Sequence, residues 1–208
     1  MSKQSLSMIH NVIQKSEEWF ELRRKYPLTA SKAQAIATGG KGLETLVWEV
    51  LAERYSFAEK DSVTNKDMER GVELEDQARD IYQLQTGIDV YEIGFVTNET
   101  ISSLGGVSPD GGIKNQNGGI EIKCFDDTKH FKYSIEGLTP ESQYEWQMQM
   151  QMLFAEWNFV DFCAYNPNYK DSLLVKRIPA DKEKQQKIIE GLKIGEELIK
   201  KIEMLYKI

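Results

Sequence analysis

Ser108-Pro109-Asp110-Gly111-Gly112-Ile113-Lys114-Asn115-Gln116-Asn117-Gly118-Gly119-Ile120-Glu121-Ile122-Lys123-Cys124 is the stretch on which the reading of this chain turns. Gly111 to Gly119, with asparagines between paired glycines, has the composition of a hairpin tip, and Ile120 to Phe125 reads as the returning strand. Side chains alternate along a strand, so Glu121 and Lys123 share one face and Ile122 takes the opposite, core face. A turn centred on Asn115 to Gly118 folds the arms together and brings Asp110 beside Glu121 and Lys123. Two carboxylates and an amine on one patch suit Mg²⁺, held by Asp110, Glu121 and the backbone carbonyl of Ile122. Lys123 is then placed to orient or deprotonate a water for attack on phosphorus. The competing reading is an ordinary exposed cross-strand pair, worth roughly 0.2–1 kcal/mol. The Pro-Asp-Gly turn and the apolar residues on both sides of the triplet favour the site.

Upstream, the sequence reads as helical: Ser16 to Arg24, a second helix from Thr29 or Ser31 to Gly39-Gly40, Leu43 to Tyr55, and Met68 to Thr86 stopped by Gly87. Strands are predicted at Val90 to Thr97 and Ile101 to Ser108. Downstream, a helix from Pro140 to Trp157 precedes strands at Phe159 to Tyr165 and Ser172 to Ile178, and an amphipathic helix runs from Asp181. Its apolar side carries Ile188, Leu192, Ile199, Ile202 and Leu205. The order gives an α/β (α+β) fold, a mixed sheet flanked by helices. One domain over 1–208 is expected: N-terminal helices 1–87, a catalytic mixed sheet 88–178 and a C-terminal helix 181–208.

The chain has 208 residues, 26 Lys+Arg against 33 Asp+Glu, and 40% hydrophobic residues, which excludes a disordered chain and a histone-like binder that works by bulk charge. A local basic groove is compatible with the negative total. No apolar run approaches membrane-spanning length and Met1 to Lys15 lacks a signal-peptide core, so a cytoplasmic location is expected and no membrane partner. Cys124 and Cys163 match no zinc or redox spacing and read as small buried hydrophobes.

Four segments in this order resemble the lambda exonuclease and YqaJ-type viral recombinase family of the PD-(D/E)xK nuclease superfamily. They are Trp19-x-x-Leu22-Arg23 with Thr29-Ala30-Ser31; Gly71-x-x-x-Glu75-x-x-Ala78-Arg79; Ser108-Pro109-Asp110-Gly111 with Glu121-Ile122-Lys123-Cys124; and Tyr144-x-x-Gln147-x-Gln149. The resemblance implies a restriction-endonuclease-like core, with Asp110 and Glu121 as metal carboxylates and Lys123 as the catalytic lysine. It adds Glu75 as a further acid at the metal and Gln147 at the scissile phosphate. Arg23, Ser31 and Ser108 would form a pocket for a terminal 5′-phosphate, consistent with guanidinium, hydroxyls and helix amides as anion donors. Met68 would be an apolar wedge that separates the strands. Blander roles remain open for several of these: a solvated Glu75–Arg79 pair, an N-cap at Ser31, a surface cation at Arg23, and a surface residue at Gln149. Phe125 departs from the family prototype, which has proline there.

The function so implied is a Mg²⁺-dependent deoxyribonuclease, Mn²⁺ substituting, that degrades one strand of linear double-stranded DNA 5′→3′ and leaves 3′ single-stranded tails for phage-type recombination. Implied partners are double-stranded DNA ends, a single-strand annealing protein and further copies of the chain in a trimeric ring, in a bacterial host of a phage or prophage. The alternatives are a PD-(D/E)xK endonuclease of restriction or repair type and a non-catalytic DNA-binding module. His10 and His130 read as surface residues, His130 with the option of a DNA phosphate contact beside Lys129 and Lys132. The Met148, Met150 and Met152 run is expected to divide between core and interface.

Overall fold

The structure, a computed structural model, describes residues 7–57 and 66–206. The hairpin forms as its glycines imply. Strands β6 (Gly111–Ile113) and β7 (Gly118–Cys124) pair antiparallel, with Gly111 opposite Ile120 and Gly112 opposite Gly119. β7 starts two residues earlier than predicted because Gly118 and Gly119 lie under aromatic rings. A Cβ would fall 2.5 Å from Phe159 at the first and 2.1 Å from Trp157 at the second, so only glycine continues the strand there. β3 (Val90–Tyr91), β6, β7, β8 (Phe159–Tyr165) and β9 (Leu173–Pro179) form a mixed sheet in that order. β7 and β8 are parallel and the other pairs antiparallel. A parallel pair needs a long crossover. Here it holds two helices, α5 (Asp127–Glu136) and α6 (Ser142–Ala155).

Several expectations need correction. The strand predicted from Val90 to Thr97 is broken: after β3 the chain turns away at Gly94, where a Cβ would lie 2.1 Å from the Val12 carbonyl oxygen. It resumes as β4 (Phe95–Thr97), paired with β1 (Met8–His10) outside the main sheet. Ile101 to Ser108 is mostly turn. Only Gly105–Gly106 is a strand, β5, parallel to β2 (Leu28–Thr29), and Val107 bridges to Val96. The second N-terminal helix is divided into a 3-10 turn (Ala30–Lys32) and a short helix α2 (Ala33–Thr38). Helix α5 was not expected. Its ends are well marked, by Asp126 accepting from the Lys129 amide at 2.8 Å and by Gly137 at φ +88°, but its interior buries only His130 and so lacks an apolar stripe. Pro140 lies before α6 rather than in its first turn, and Glu141 holds the N-cap position.

The remaining helices are α1 (Glu17–Lys25), α3 (Gly40–Tyr55), α4 (Lys66–Thr86) and α7 (Lys182–Tyr206). α4 covers one face of the sheet, where Ala78 and Tyr82 pack with Ile120, Ile122 and Cys163. α6 covers the other, with α2, α3 and α7 behind it. Met148, Met150 and Met152 are all buried, so none is left for an interface. Residues two apart point to different sides of a helix, which means α6 is enclosed on all sides over residues 148–152. On α7, Ile188, Leu192 and Ile199 are buried as expected, whereas Leu205 is 74% exposed. Cys124 and Cys163 form no disulfide. Among the described residues no helix is long and apolar enough to cross a membrane.

α7 crosses α2 at Gly191, where a Cβ would lie 1.9 Å from the Ile36 carbonyl oxygen. Backbone cannot yield as a side chain does, so Gly191→Ala should cost about 3 kcal/mol, measured by urea unfolding. Glu190→Ala, one residue away and exposed, should change stability by less than about 0.5 kcal/mol.

Candidate active site

The site lies at the edge of β7 where β6 peels away. Gly111 is the last residue of β6 paired with β7, so beyond Ile120 the β7 backbone loses its neighbour on that side. The Asp110 side chain takes over: its Oδ2 accepts from the Ile122 amide at 2.6 Å. In a strand the N–H and C=O of one residue face the same edge, so the Ile122 carbonyl faces the same gap. Gln14 holds the approach in place, donating to the Ile93 carbonyl at 2.8 Å and the Pro109 carbonyl at 2.9 Å. A cleft of ≈ 400 Å³ opens here, lined by Lys15, Glu75, Arg79, Glu92 and Asp110.

Glu121 projects to the α6 face and is fully buried. Its Oε1 accepts from Lys123 Nζ and, at 2.6 Å, from Gln147 Nε2; its Oε2 accepts from Gln151 Nε2 at 2.6 Å. Lys123 Nζ also sits 5.5 Å from the centre of the Tyr144 ring. Glu75 approaches from α4, on the other face of the sheet, in ion pairs with Lys15 (3.4 Å) and Arg79 (3.7 Å). The sequence-predicted set of Asp110, Glu121, Lys123, Glu75 and Gln147 is therefore gathered around one strand edge. Gln151 was missed. The available signal was its spacing, one helical turn after Gln147, which puts both amides on one face.

Burial, then Glu121, and also Glu75 push the Asp110 carboxyl well above the usual carboxylate range, and Lys123 and the Ile122 amide offset only part of this. Burial opposes the charge on Lys123, but Glu121 and Asp110 outweigh it and raise its pKa above the ordinary lysine value. Carboxylates crowded to the point of raising a pKa are what a bound cation relieves. Among the described residues no three His, Cys, Asp or Glu side chains close a metal cage. The donor set is two carboxylates and a carbonyl with Glu75 nearby, which fits a hard cation that keeps several waters, as Mg²⁺ does.

A family model described as the YqaJ-like viral recombinase domain matches residues 18–158. The chain belongs to that family. Among solved structures, the alkaline exonuclease LHK-Exo from Laribacter hongkongensis, in complex with dAMP, is 30% identical with a TM-score of 0.77, over 92% of this YqaJ-like chain and 98% of its own. A second structure of LHK-Exo is 29% identical at the same TM-score and coverage. A phage-related exonuclease from Haemophilus somnus 129PT, at 17% identity and TM-score 0.54 over 84% of this chain and 96% of its own, shares the fold. No curated protein matches the chain at a significant level. The core of this YqaJ-like domain is thus of PD-(D/E)xK type.

Two of the residues predicted to hold a 5′-phosphate, Arg23 and Ser108, are linked through Trp19. Arg23 stacks over Trp19, 4.5 Å from the ring centre, and Trp19 Nε1 donates to Ser108 Oγ at 2.9 Å. Burial lowers the Arg23 pKa, with Glu53 acting against this. Ser31 and Ser108 each follow by two residues the parallel pair Thr29–Gly106, so they leave the same end of β2 and β5. Ser31 sits inside the 3-10 turn and pairs with Thr29 Oγ1 at 3.2 Å; it does not N-cap an α-helix. Gln149 is not a surface residue: it is buried, donates to the Pro179 carbonyl at 2.9 Å and accepts from the Asp181 amide at 2.8 Å. His130 is likewise fully buried, its Nε2 2.9 Å from the Asp171 carbonyl oxygen, which removes it from contact with a phosphate. His10 is half-buried and bonded to Thr97 at 3.0 Å. Phe125 packs against Tyr133 and Tyr144, and its carbonyl accepts from Asn166 at 3.0 Å, so the loop is fixed without proline. The Met68 side chain lies outside the described residues.

A carboxyl whose pKa in the folded protein exceeds the unfolded value of about 3.9 gains a proton on folding. Its effect is to weaken the fold as pH rises above about 4, with the loss complete above the raised pKa. Asp110→Asn removes that loss. In chelator its melting temperature should exceed that of the wild type at pH 8 and converge with it near pH 4; a lower value at pH 8 would contradict the crowding of carboxylates.

Proposed function

We propose that this chain is a Mg²⁺-dependent deoxyribonuclease that degrades one strand of linear double-stranded DNA 5′→3′ and leaves 3′ single-stranded tails for phage-type homologous recombination. The observation that carries this reading is the convergence of Asp110, Glu121 and Lys123 on one strand edge, with the Gln147 amide on the same Glu121 carboxylate. The similarity to the alkaline exonuclease LHK-Exo over nearly the whole chain supports the exonuclease class.

Asp110, Glu121 and the Ile122 carbonyl would hold Mg²⁺ or Mn²⁺, with Glu75 supporting the cluster. When bound, such an ion would supply positive charge at the scissile phosphate and make water a better nucleophile. Lys123 donates one hydrogen bond to Glu121 and has further ammonium protons with which to orient the attacking water or a phosphate oxygen, its raised pKa keeping it an ammonium. Gln147 fixes the Glu121 carboxylate and extends the same donor row toward the phosphate. Arg23, Ser31 and Ser108 bind the terminal 5′-phosphate, and each cleavage exposes a new one for the same pocket. Met68 is the wedge at the duplex end. The acting form is a homotrimeric ring in the cytoplasm of a bacterial host, passing its 3′ tails to a single-strand annealing protein.

Lys123→Ala and Glu121→Gln should each lower cleavage by about 10²–10³-fold or more with the fold retained by circular dichroism. End-labelled linear and closed circular duplexes, incubated with Mg²⁺ and resolved on a denaturing gel, read this out. Cutting of the closed circle, or digestion from the 3′ end, would replace the exonuclease reading with an endonuclease or a different polarity.

Arg23→Ala should slow digestion of 5′-phosphorylated ends while leaving 5′-hydroxyl ends, already poor substrates for the wild type, little changed. Equal wild-type rates on the two ends would remove Arg23, Ser31 and Ser108 from end recognition.

A further inference from the structure

Lys15 stands where a glycine would fit best. Ile13 to Ser16 form a turn closed by the Ser16 amide, which donates to the Ile13 carbonyl at 3.1 Å, and Lys15 at the third position has φ +69°. That left-handed region favours glycine and then asparagine, and the Cβ of any other residue is costly there. The turn is anchored by its neighbours, Gln14 on the Ile93 and Pro109 carbonyls and Ser16 as the N-cap of α1. Lys15 Nζ reaches into the cleft beside Asp110, 3.4 Å from Glu75 Oε2, with 45% of the side chain exposed. Among the described residues, the charged side chains lining that cleft are Glu75, Asp76, Glu92 and Asp110 against Lys15 and Arg79. Arg79 is committed to the protein: its side chain is 13% exposed and meets Asp76 at 3.0 Å, Glu92 at 3.1 Å and Glu75 at 3.7 Å. Of the two cations, Lys15 is the one with a single long ion pair to give up.

We propose that Lys15 is a substrate-binding residue whose ammonium exchanges Glu75 for a backbone phosphate of the DNA strand in the cleft. This rests on the metal-nuclease reading above. A strained non-glycine residue beside a reactive site is kept for what its side chain does, and here the side chain brings a cation into a cleft dominated by carboxylates. DNA adds further negative charge to that cleft. The long flexible stem of lysine lets the ammonium move from a carboxylate oxygen to a phosphate oxygen without moving the pinned backbone.

Lys15→Gly removes the ammonium and relieves the turn, so its melting temperature should be no lower than that of the wild type. Initial rates of nucleotide release from a 5′-phosphorylated linear duplex in Mg²⁺ should give a KM for DNA ends about three- to tenfold higher, with kcat within about twofold. Each phosphate contact adds about 0.9 to the slope of log affinity against log salt, so the salt dependence of KM should become shallower by that amount. Lys15→Arg keeps the charge, and Lys200→Ala removes an exposed charge on α7. Both should keep KM within about twofold of the wild type. A rise below about threefold in Lys15→Gly, an unchanged salt slope, an equal rise in either control, or a melting temperature below the wild type overturns this inference and leaves the nuclease reading standing. A wild type that releases no nucleotide from the linear duplex overturns both.

Discussion

A carboxylate with no exposure to water, Glu121, sets the terms for the rest of the molecule. A buried ionised group is tolerated only when its lone pairs are answered, because the cost of stranding one is several kcal/mol. Lys123, two residues along the same strand face, provides one answer. The other two come from Gln147 and Gln151, which must then lie on a helix seated directly over β7. Polar residues on the sheet-facing side of α6 leave its other sides to supply packing, and Met148, Met150, Met152 and Phe154 do so, buried among the N-terminal helices and α7. The enclosure of α6 and the charge beneath it are one constraint.

The mixed sheet was largely legible because its signals are local. The glycines and asparagines of the hairpin fixed a turn, and strand alternation then put Glu121 and Lys123 on one face and Ile122 in the α4 core. The α4 and α7 stripes followed from their periodicity. What escaped were features set by distant partners. The break at Gly94 comes from the passage of the Val12 backbone, nothing of which is visible around residue 94. α5 carries sound caps but almost no apolar face, so periodicity gave no sign of it. His130 looked like a surface residue for the same reason, although it is the one fully buried residue of that helix. Gln149 and Gln151 illustrate the limit most plainly: two glutamines two apart on one buried helix, one holding the β9–α7 junction and the other a carboxylate, with identical local sequence context.

The site also depends on the mismatch in length between the two arms of the hairpin. β7 runs for 7 residues and β6 for only 3. The unpaired stretch of β7 gives one amide to Asp110 and leaves a carbonyl facing the cleft. It also opens a gap through which Glu75, on α4, reaches the same point as residues on the opposite face. A fully paired hairpin would have separated those two faces by a continuous sheet. Tyr82 keeps α4 in register for this by donating to Asp161 at 2.8 Å, itself held by a bidentate contact to Arg177.

One residue stands between the proposed end-binding pocket and the proposed metal site. Ser108, tied to Trp19 and through it to Arg23, is separated from Asp110 by Pro109 alone, whose ring fixes its backbone torsion and whose carbonyl is held by Gln14. On those proposed assignments, the distance from the grip on a terminal phosphate to the point of cleavage would be set by a short piece of backbone held at Pro109. Such a piece behaves as a ruler: the length of what is cut off would be a property of the main chain, insensitive to the base sequence of the DNA and to changes in the surface loops around it.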